Sequence, residues 1–270
     1  MGTTQRIIPG VPHQPNWGAL NNAITRVANA VEEDQREDED ADNVQDDGEA
    51  QRRLIDRRDN NLRGALKNLV KTGGGSADIS KGRSTSIGKA GLRTAGKFLS
   101  VFTDVAERGL EQVLTELEIE IAGMSVESVI DFLLIYCSSG DAGMDETAAN
   151  KAFAEVTEHI IAQTGNDLKA FEDYIKQAAA GEGLTDLLCV FWGYYIYEHL
   201  AQRFQEKITQ LKGEQVSFET FQVIKDDILG QVKLLGQDKK LSAVDWRGEE
   251  GKTFIEQTFE SILKIIAHEN

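Results

Sequence analysis

The chain has 270 residues, enough for one large domain or two small ones. Its 40% hydrophobic content supports a packed core and excludes a wholly disordered protein. The net charge of −16 at pH 7 is unevenly spread. Residues 32–49, EEDQREDEDADNVQDDGE, hold eleven acids and one arginine. Residues 51–97 hold twelve Lys/Arg against three aspartates, and residues 98–270 hold 31 acids and 14 bases. The first fifteen residues lack a charged start followed by an apolar run, so no secretory signal is expected. No apolar run reaches the roughly 18 residues of a membrane span. Cys137 and Cys189 sit inside apolar runs with no framework spacing, as buried thiols do. A cytoplasmic, reducing location is expected.

In chain order, residues 1–16 contain Pro9, Pro12 and Pro15, all the prolines of the protein. Proline fixes φ, lacks a backbone donor and pushes its predecessor toward extended geometry, so this stretch reads as an extended leader. In residues 17–31, Trp17, Leu20, Ile24, Val27 and Val31 recur at helical spacing and predict an amphipathic helix. The acidic run 32–49 cannot bury apolar surface and reads as a linker or a fraying helix end. Residues 50–71 predict a basic helix. Leu54, Ile55, Leu62, Leu66, Leu69 and Val70 lie mostly on one face, and Arg52, Arg53, Arg57, Arg58, Arg63 and Lys67 occupy much of the rest. TGGGSADISKGRSTSIG then predicts a loop of high backbone freedom up to residue 88.

From 89 to 270 the pattern is helical, with helices expected near 89–122, 125–138, 145–163, 166–179, 184–212, 217–235 and 250–268. Gly73, Gly123, Gly140, Gly165, Gly181, Gly213 and Gly236 punctuate them as left-handed helix ends, and Ser125 and Ser217 are candidate N-caps. Phe218, Phe221, Ile224 and Ile228 form one expected core stripe. The predicted class is all-α: a multi-helix bundle with an extended proline-containing N-terminal leader and a separately connected N-terminal helical arm.

Chemical motifs are scarce. GRSTSIGKAG fails as a phosphate loop: Arg83 stands where glycine is needed, Ala90 stands where Ser or Thr is needed, and no strand precedes it. The histidines His13, His159, His199 and His268 show neither HExxH nor Glu-x-x-His spacing, so surface or interface positions are expected. No Gly-x-Ser-x-Gly elbow occurs. These absences point to a protein that is not an enzyme, with no cofactor or metal of its own. In VFWGYYIYEHL (190–200), Phe191, Tyr194 and Tyr195 share a face with Leu187 and Leu188 as a core stripe. Trp192 and Tyr197 point elsewhere; packing into the body of the protein is the preferred reading for them, and a contact surface is the alternative.

The basic segment 51–97 admits three readings: a charged protein partner, intramolecular neutralisation by the acidic run upstream, or nucleic acid. For nucleic acid the candidate contacts are Arg57, Arg58, Arg63 and Lys67. Aromatic side chains to stack on bases are missing between 51 and 97.

Removal of Met1 before the small Gly2 leaves a free α-amine, a type of group with a pKa of about 7.7–8.0 that is partly neutral near pH 7.5. Glycine, without a Cβ, enters narrow sites easily, and the three prolines lower the entropy lost on docking. Arg6 stands where myristoylation needs Ser or Thr. Four features occur in order: the MGT start, the proline leader running to Trp17, LRGALKNLVKTGGG joined to a Gly/Ser loop, and GKAGLRTAGKFLSVFTDV entering a helical half. In these the chain resembles the QatB family, the B component of the bacterial Qat anti-phage defence operon. The resemblance implies neighbours: a QueC-like enzyme (QatC) as main partner, a P-loop ATPase (QatA) and a TatD-like nuclease (QatD). It also implies that the QueC-like enzyme, using ATP, joins 7-carboxy-7-deazaguanine to Gly2. The product would be an amide, a covalent 7-amido-7-deazaguanine, with Gly2, Thr3, Thr4, Ile7, Ile8 and Trp17 as leader contacts to that partner.

Overall fold

The computed structural model describes residues 17–40, 48–119, 123–138, 140, 143–236 and 244–269. The leader 1–16, including Gly2, Thr3, Thr4, Ile7, Ile8 and His13, lies outside the described residues, as does 41–47 of the acidic run. Among the described residues there are eleven helices and no strand, so the fold is an all-α multi-helix bundle. The helices are α1 (Gly18–Asp40), α2 (Gly48–Thr72), α3 (Ser76–Ser80), α4 (Lys89–Arg108), α5 (Leu110–Glu116) and α6 (Val126–Cys137). They continue with α7 (Met144–Thr164), α8 (Leu168–Ala180), α9 (Gly183–Lys212), α10 (Glu214–Gly236) and α11 (Glu249–Ile266).

The centre of the bundle is α9, packed against α10 and α7 along its length and touching α1, α4, α8 and α11. A helix surrounded in this way needs apolar residues around most of its circumference. That explains the aromatic run. Trp192 is fully buried, as the preferred core reading expects, and its ring stacks on Phe259 of α11 with centroids 3.7 Å apart. Tyr194 and Tyr197 are both half-buried beneath Lys225 of α10, whose ammonium lies 4.8 and 5.6 Å from their ring centroids. Phe98, Phe102, Phe153 and Phe191 complete an aromatic core shared by α4, α7 and α9.

The expected helix over 89–122 breaks at Gly109. Its φ of +88°, a value that costs other residues, lets its N–H close α4 on the Val105 carbonyl while α5 starts in a new direction. Ser125 caps α6 as expected, accepting a hydrogen bond from the Ser128 N–H. Ser217 is not a cap. Helix α10 begins three residues earlier, and the Ser217 hydroxyl instead donates to the Gln205 carbonyl of α9. Three of the expected glycine stops differ as well: Gly73 is not left-handed and Gly74 takes that conformation with φ +100°, Gly181 ends α8 with φ −132°, and Gly236 is the last residue inside α10. Phe218 leaves the expected stripe and is 66% exposed, while Phe221, Ile224 and Ile228 are buried.

Two expectations about the N-terminal third change. Residues 32–40 of the acidic run continue α1 rather than forming a linker. Nor is the arm separate from the bundle. Leu20, Ile24 and Val27 of α1 and Leu62, Leu66 and Leu69 of α2 belong to the same buried cluster as the bundle residues. The loop 72–88 is packed rather than free. It contains α3 and buries Ile79 and Ile87, and two of its glycines allow close approach: a Cβ on Gly73 would lie 2.5 Å from the Ile79 side chain and one on Gly88 2.4 Å from the Ile79 carbonyl oxygen.

Candidate functional site

Three arrangements connect the leader junction to the surface of the bundle. The first is the junction itself. Trp17 is 8% exposed, and the Arg203 guanidinium of α9 lies 3.9 Å from its ring centroid. A cation over an indole face contributes about 0.5–2 kcal/mol, more when water is excluded. Burial lowers the Arg203 pKa to about 10, and the nearby Asp145 carboxylate opposes that fall. Thus Trp17, expected as a leader contact, is fixed in the body of the protein.

The second is a buried polar column next to that stack. Asp145, in the first turn of α7, is a natural acid for a helix N-terminus. Its Oδ1 accepts hydrogen bonds from the Tyr195 hydroxyl, from His199 Nε2 at 2.9 Å and from the Gly88 N–H at 3.2 Å, and its Oδ2 accepts from the Ala90 N–H at 2.9 Å. Tyr195 in turn accepts from the Gly88 N–H at 2.6 Å. Three donors crowd Oδ1 and one reaches Oδ2, so the carboxylate is held mainly through one oxygen. Because a carboxylate only accepts, neutral His199 carries its proton on Nε2, and its buried Nδ1 has no partner. Burial pushes His199 below the ordinary histidine range, although Asp145 pulls the other way. Burial alone would raise Asp145, but the hydrogen bonds from His199, Ala90 and Tyr195 outweigh it and hold the carboxyl at about 2. So His199, expected at a surface, is wholly buried, while His159 and His268 are exposed.

Asp145 therefore caps α4 from another helix. Its neighbour Glu146, also buried, holds Arg93 of α4 at 2.9 Å and accepts from the Ser138 hydroxyl at 3.2 Å. Sequence reasoning missed this pair. The available signal was an acidic doublet opening a helix, which motif spacing does not capture.

The third arrangement is the fate of the basic segment. In its first half, two arginines pair with the acidic run. Arg57 pairs with Glu33 at 2.8 Å and Arg58 with Asp34 at 3.3 Å, both across the α1–α2 hairpin. Arg63 and Lys67 are exposed on α2. The second half lines a groove of about 970 Å³ between α4 and α11. Lys89, Arg93 and Lys97 stand four residues apart on one face of α4, and Lys81, Arg247 and Lys252 face them. Three carboxylates, Asp104, Glu249 and Glu256, share the walls, and Leu92, Val101, Trp246 and Ile255 contribute apolar surface.

Among the described residues no helix is long and apolar enough to cross a membrane, and no group of three His, Cys, Asp or Glu side chains is placed to hold a metal ion. Cys137 and Cys189 are buried thiols outside any disulfide, and burial pushes the Cys137 thiol up to about 12.

No curated protein matches the chain. No solved structure matches it either. A family model described as QatB, Qat anti-phage system associated protein QatB, matches residues 80–266, more than half of the chain. The match starts at the last residue of α3 and runs through α11, so it covers α4, the groove and the polar column and leaves α1 and α2 outside. GKAGLRTAGKFLSVFTDV, one of the stretches that carries the sequence resemblance, forms most of α4, the helix that Asp145 caps and that lines the groove. The chain belongs to the QatB family, and is thereby a component of the Qat anti-phage system.

Proposed function

We propose that this chain is a non-enzymatic component of the defence system whose N-terminal leader is presented to, and modified by, a QueC-like enzyme. That enzyme, QatC, activates 7-carboxy-7-deazaguanine with ATP as an acyl adenylate. The neutral amine of Gly2 attacks the acyl carbon, AMP leaves with the carbon–oxygen bond pair, and the amine proton passes to solvent. The product is a 7-amido-7-deazaguanine joined through the Gly2 nitrogen. The observation that carries this proposal is the Trp17–Arg203 stack, because it gives residues 1–16 a fixed point of attachment. A tether with one immobile end places its other end at a partner's site at higher effective concentration.

The non-enzymatic part rests on the polar column. An Asp–His–Tyr set resembles an acid–base relay, but Tyr195 and His199 are both 0% exposed, and Asp145, a quarter exposed, is held by four donors. A general base must reach the proton that it takes, and the Tyr195 and His199 side chains face the core. QatA and QatD are proposed as further partners in the assembly, which is placed in the cytoplasm. The rival reading, a nucleic-acid adaptor working through Arg57, Arg58, Arg63 and Lys67, has less support, since two of the four are engaged by Glu33 and Asp34.

The test is reconstitution. The full chain without Met1 is incubated with the QueC-like neighbour, ATP and 7-carboxy-7-deazaguanine, and AMP release and the adduct are followed. Transfer to the wild-type chain and none to Gly2→Leu supports the reading. Equal transfer to both places the adduct elsewhere and overturns it.

A further inference from the structure

The groove between α4 and α11 has a use that the leader reading does not touch. Of its six cations, Arg93 is held by Glu146, Arg247 by Asp104 and Glu107, and Lys252 lies 3.8 Å from Glu249. The other three differ. The Lys97 ammonium donates to two backbone carbonyls, those of Tyr136 at 3.0 Å and Ser138 at 2.9 Å, and no carboxylate among the described residues lies within 4 Å of it. Lys81 and Lys89 are exposed and have no ion pair within 4 Å among the described residues, although Glu260 of α11, held below its usual range first by Lys264, also feels Lys81. Three lysines without a carboxylate within 4 Å among the described residues thus lie along one groove of a chain whose net charge is −16.

The ends of the groove are unlike. Lys81 and Lys89 mark one end. At the other, two helical turns and roughly 12 Å along α4, Lys97 stands beside the ring of Tyr136, which is 38% exposed and packs against Phe132 with centroids 6.0 Å apart. Leu92 and Ile255 add apolar surface to the lining, alongside Arg93, Lys252 and Glu256. Ammonium groups at one place, an open aromatic edge with a cation beside it at another, and apolar side chains in the same lining suit an anion with a flat ring system. Asp104 and Glu107 stand where a longer polyanion would run out of the groove past Arg247, and would repel it.

We infer that this groove binds a mononucleotide, with its phosphates at Lys81 and Lys89 and its base against Tyr136 and Lys97. The aromatic partner that the basic segment lacks in sequence is supplied here by α6, through Tyr136.

Isothermal titration of the full chain with ATP, ADP, adenosine, inorganic triphosphate and a single-stranded oligothymidylate tests this. Saturable ATP binding is expected. It should weaken about tenfold or more in the double variant Lys81→Glu/Lys89→Glu and about tenfold in Tyr136→Ala. Both variants change exposed side chains, and unchanged helical circular dichroism verifies their folding. Adenosine and triphosphate should each bind at least tenfold more weakly than ATP. Absence of ATP binding overturns the inference, as does binding unchanged in both variants. Triphosphate binding as tightly as ATP overturns the base contact, and oligothymidylate binding more tightly than ATP reassigns the groove to a polymer.

Discussion

The Asp145 carboxylate of α7 accepts the Ala90 N–H of α4 at 2.9 Å, so one helix starts on the side chain of another. Ordinarily the first turn of a helix is capped by a residue just before it. Here that residue is Gly88, which has no side chain to offer, and a residue 55 positions away in the chain does the work. The same carboxylate ties in Tyr195 and His199 of α9, so a single group aligns three helices at the head of the groove.

Asp145→Ala is therefore expected to cost about 3 kcal/mol or more, since it leaves several buried donors without an acceptor. Asp145→Asn should cost less, because the amide oxygen still accepts. Urea unfolding of the two variants measures both. Equal and small losses, below about 0.5 kcal/mol, would contradict the capping role.

The same group sets a pH dependence. Its folded-state pKa, at about 2, lies below the ordinary aspartate value of 3.8. A depressed carboxyl contributes stability that is fully present above the unfolded pKa and is lost as pH falls through the folded one. Asp145 should thus contribute about 2 kcal/mol at neutral pH that disappears between roughly pH 4 and 2. His199, also depressed, adds stability above the ordinary histidine range that is lost as pH falls through its lowered value. Comparing wild type with Asp145→Asn across this range isolates the first effect: the wild-type curve should fall more steeply below pH 4.

Gly91 offers a test of packing. It sits in α4, where alanine has the better helix propensity. A Cβ there would lie 2.7 Å from the Trp192 ring and 2.8 Å from the Tyr195 ring, both buried. Gly91→Ala should therefore destabilise by about 1–3 kcal/mol through overpacking, against its propensity gain. A rise in melting temperature would show that the rings yield.

The Arg57–Glu33 pair is exposed, with side chains 59% and 48% accessible. Arg57→Glu should cost less than about 1 kcal/mol, and adding Glu33→Arg should restore most of it. Urea denaturation of the two single variants and the double variant supplies the coupling energy. A zero coupling energy would show the pair to be incidental.

Much of the fold was legible in the sequence because helical spacing of large apolar residues is a local signal. Leu20, Ile24 and Val27 announced α1, and Phe153, Val156 and Ile160 announced α7, all now buried. What escaped were features set by distant partners. His199 gave no spacing signal because its partner is 54 residues away. The Gly/Ser loop looked free because glycine serves flexibility and close packing alike, and only the approach of Ile79 tells them apart. The candidate site divided along the same line. The acidic run upstream of Arg57 and Arg58 hinted at their neutralisation, whereas the groove joins Lys81 and Lys89 to Trp246 and Lys252 from the other end of the chain.

The leader anchor predicts its own phenotype. Trp17→Ala removes the cover from Arg203 and should cost about 3–5 kcal/mol, within the range of large aromatic truncations. Trp17→Phe keeps a ring under the guanidinium and should retain most of the stability. Thermal unfolding of both variants checks this, and similar losses in the two would assign the effect to bulk rather than to the cation–ring contact.

The central claim concerns Gly2, and peptide-resolved mass spectrometry reaches it most directly. The full chain is purified after expression with and without its QueC-like neighbour, and the N-terminal peptide is weighed and fragmented. The account predicts a peptide beginning at Gly2 that carries one deazaguanine acyl group on its α-nitrogen, only when the enzyme is present. An unmodified Gly2 peptide in both samples would contradict it.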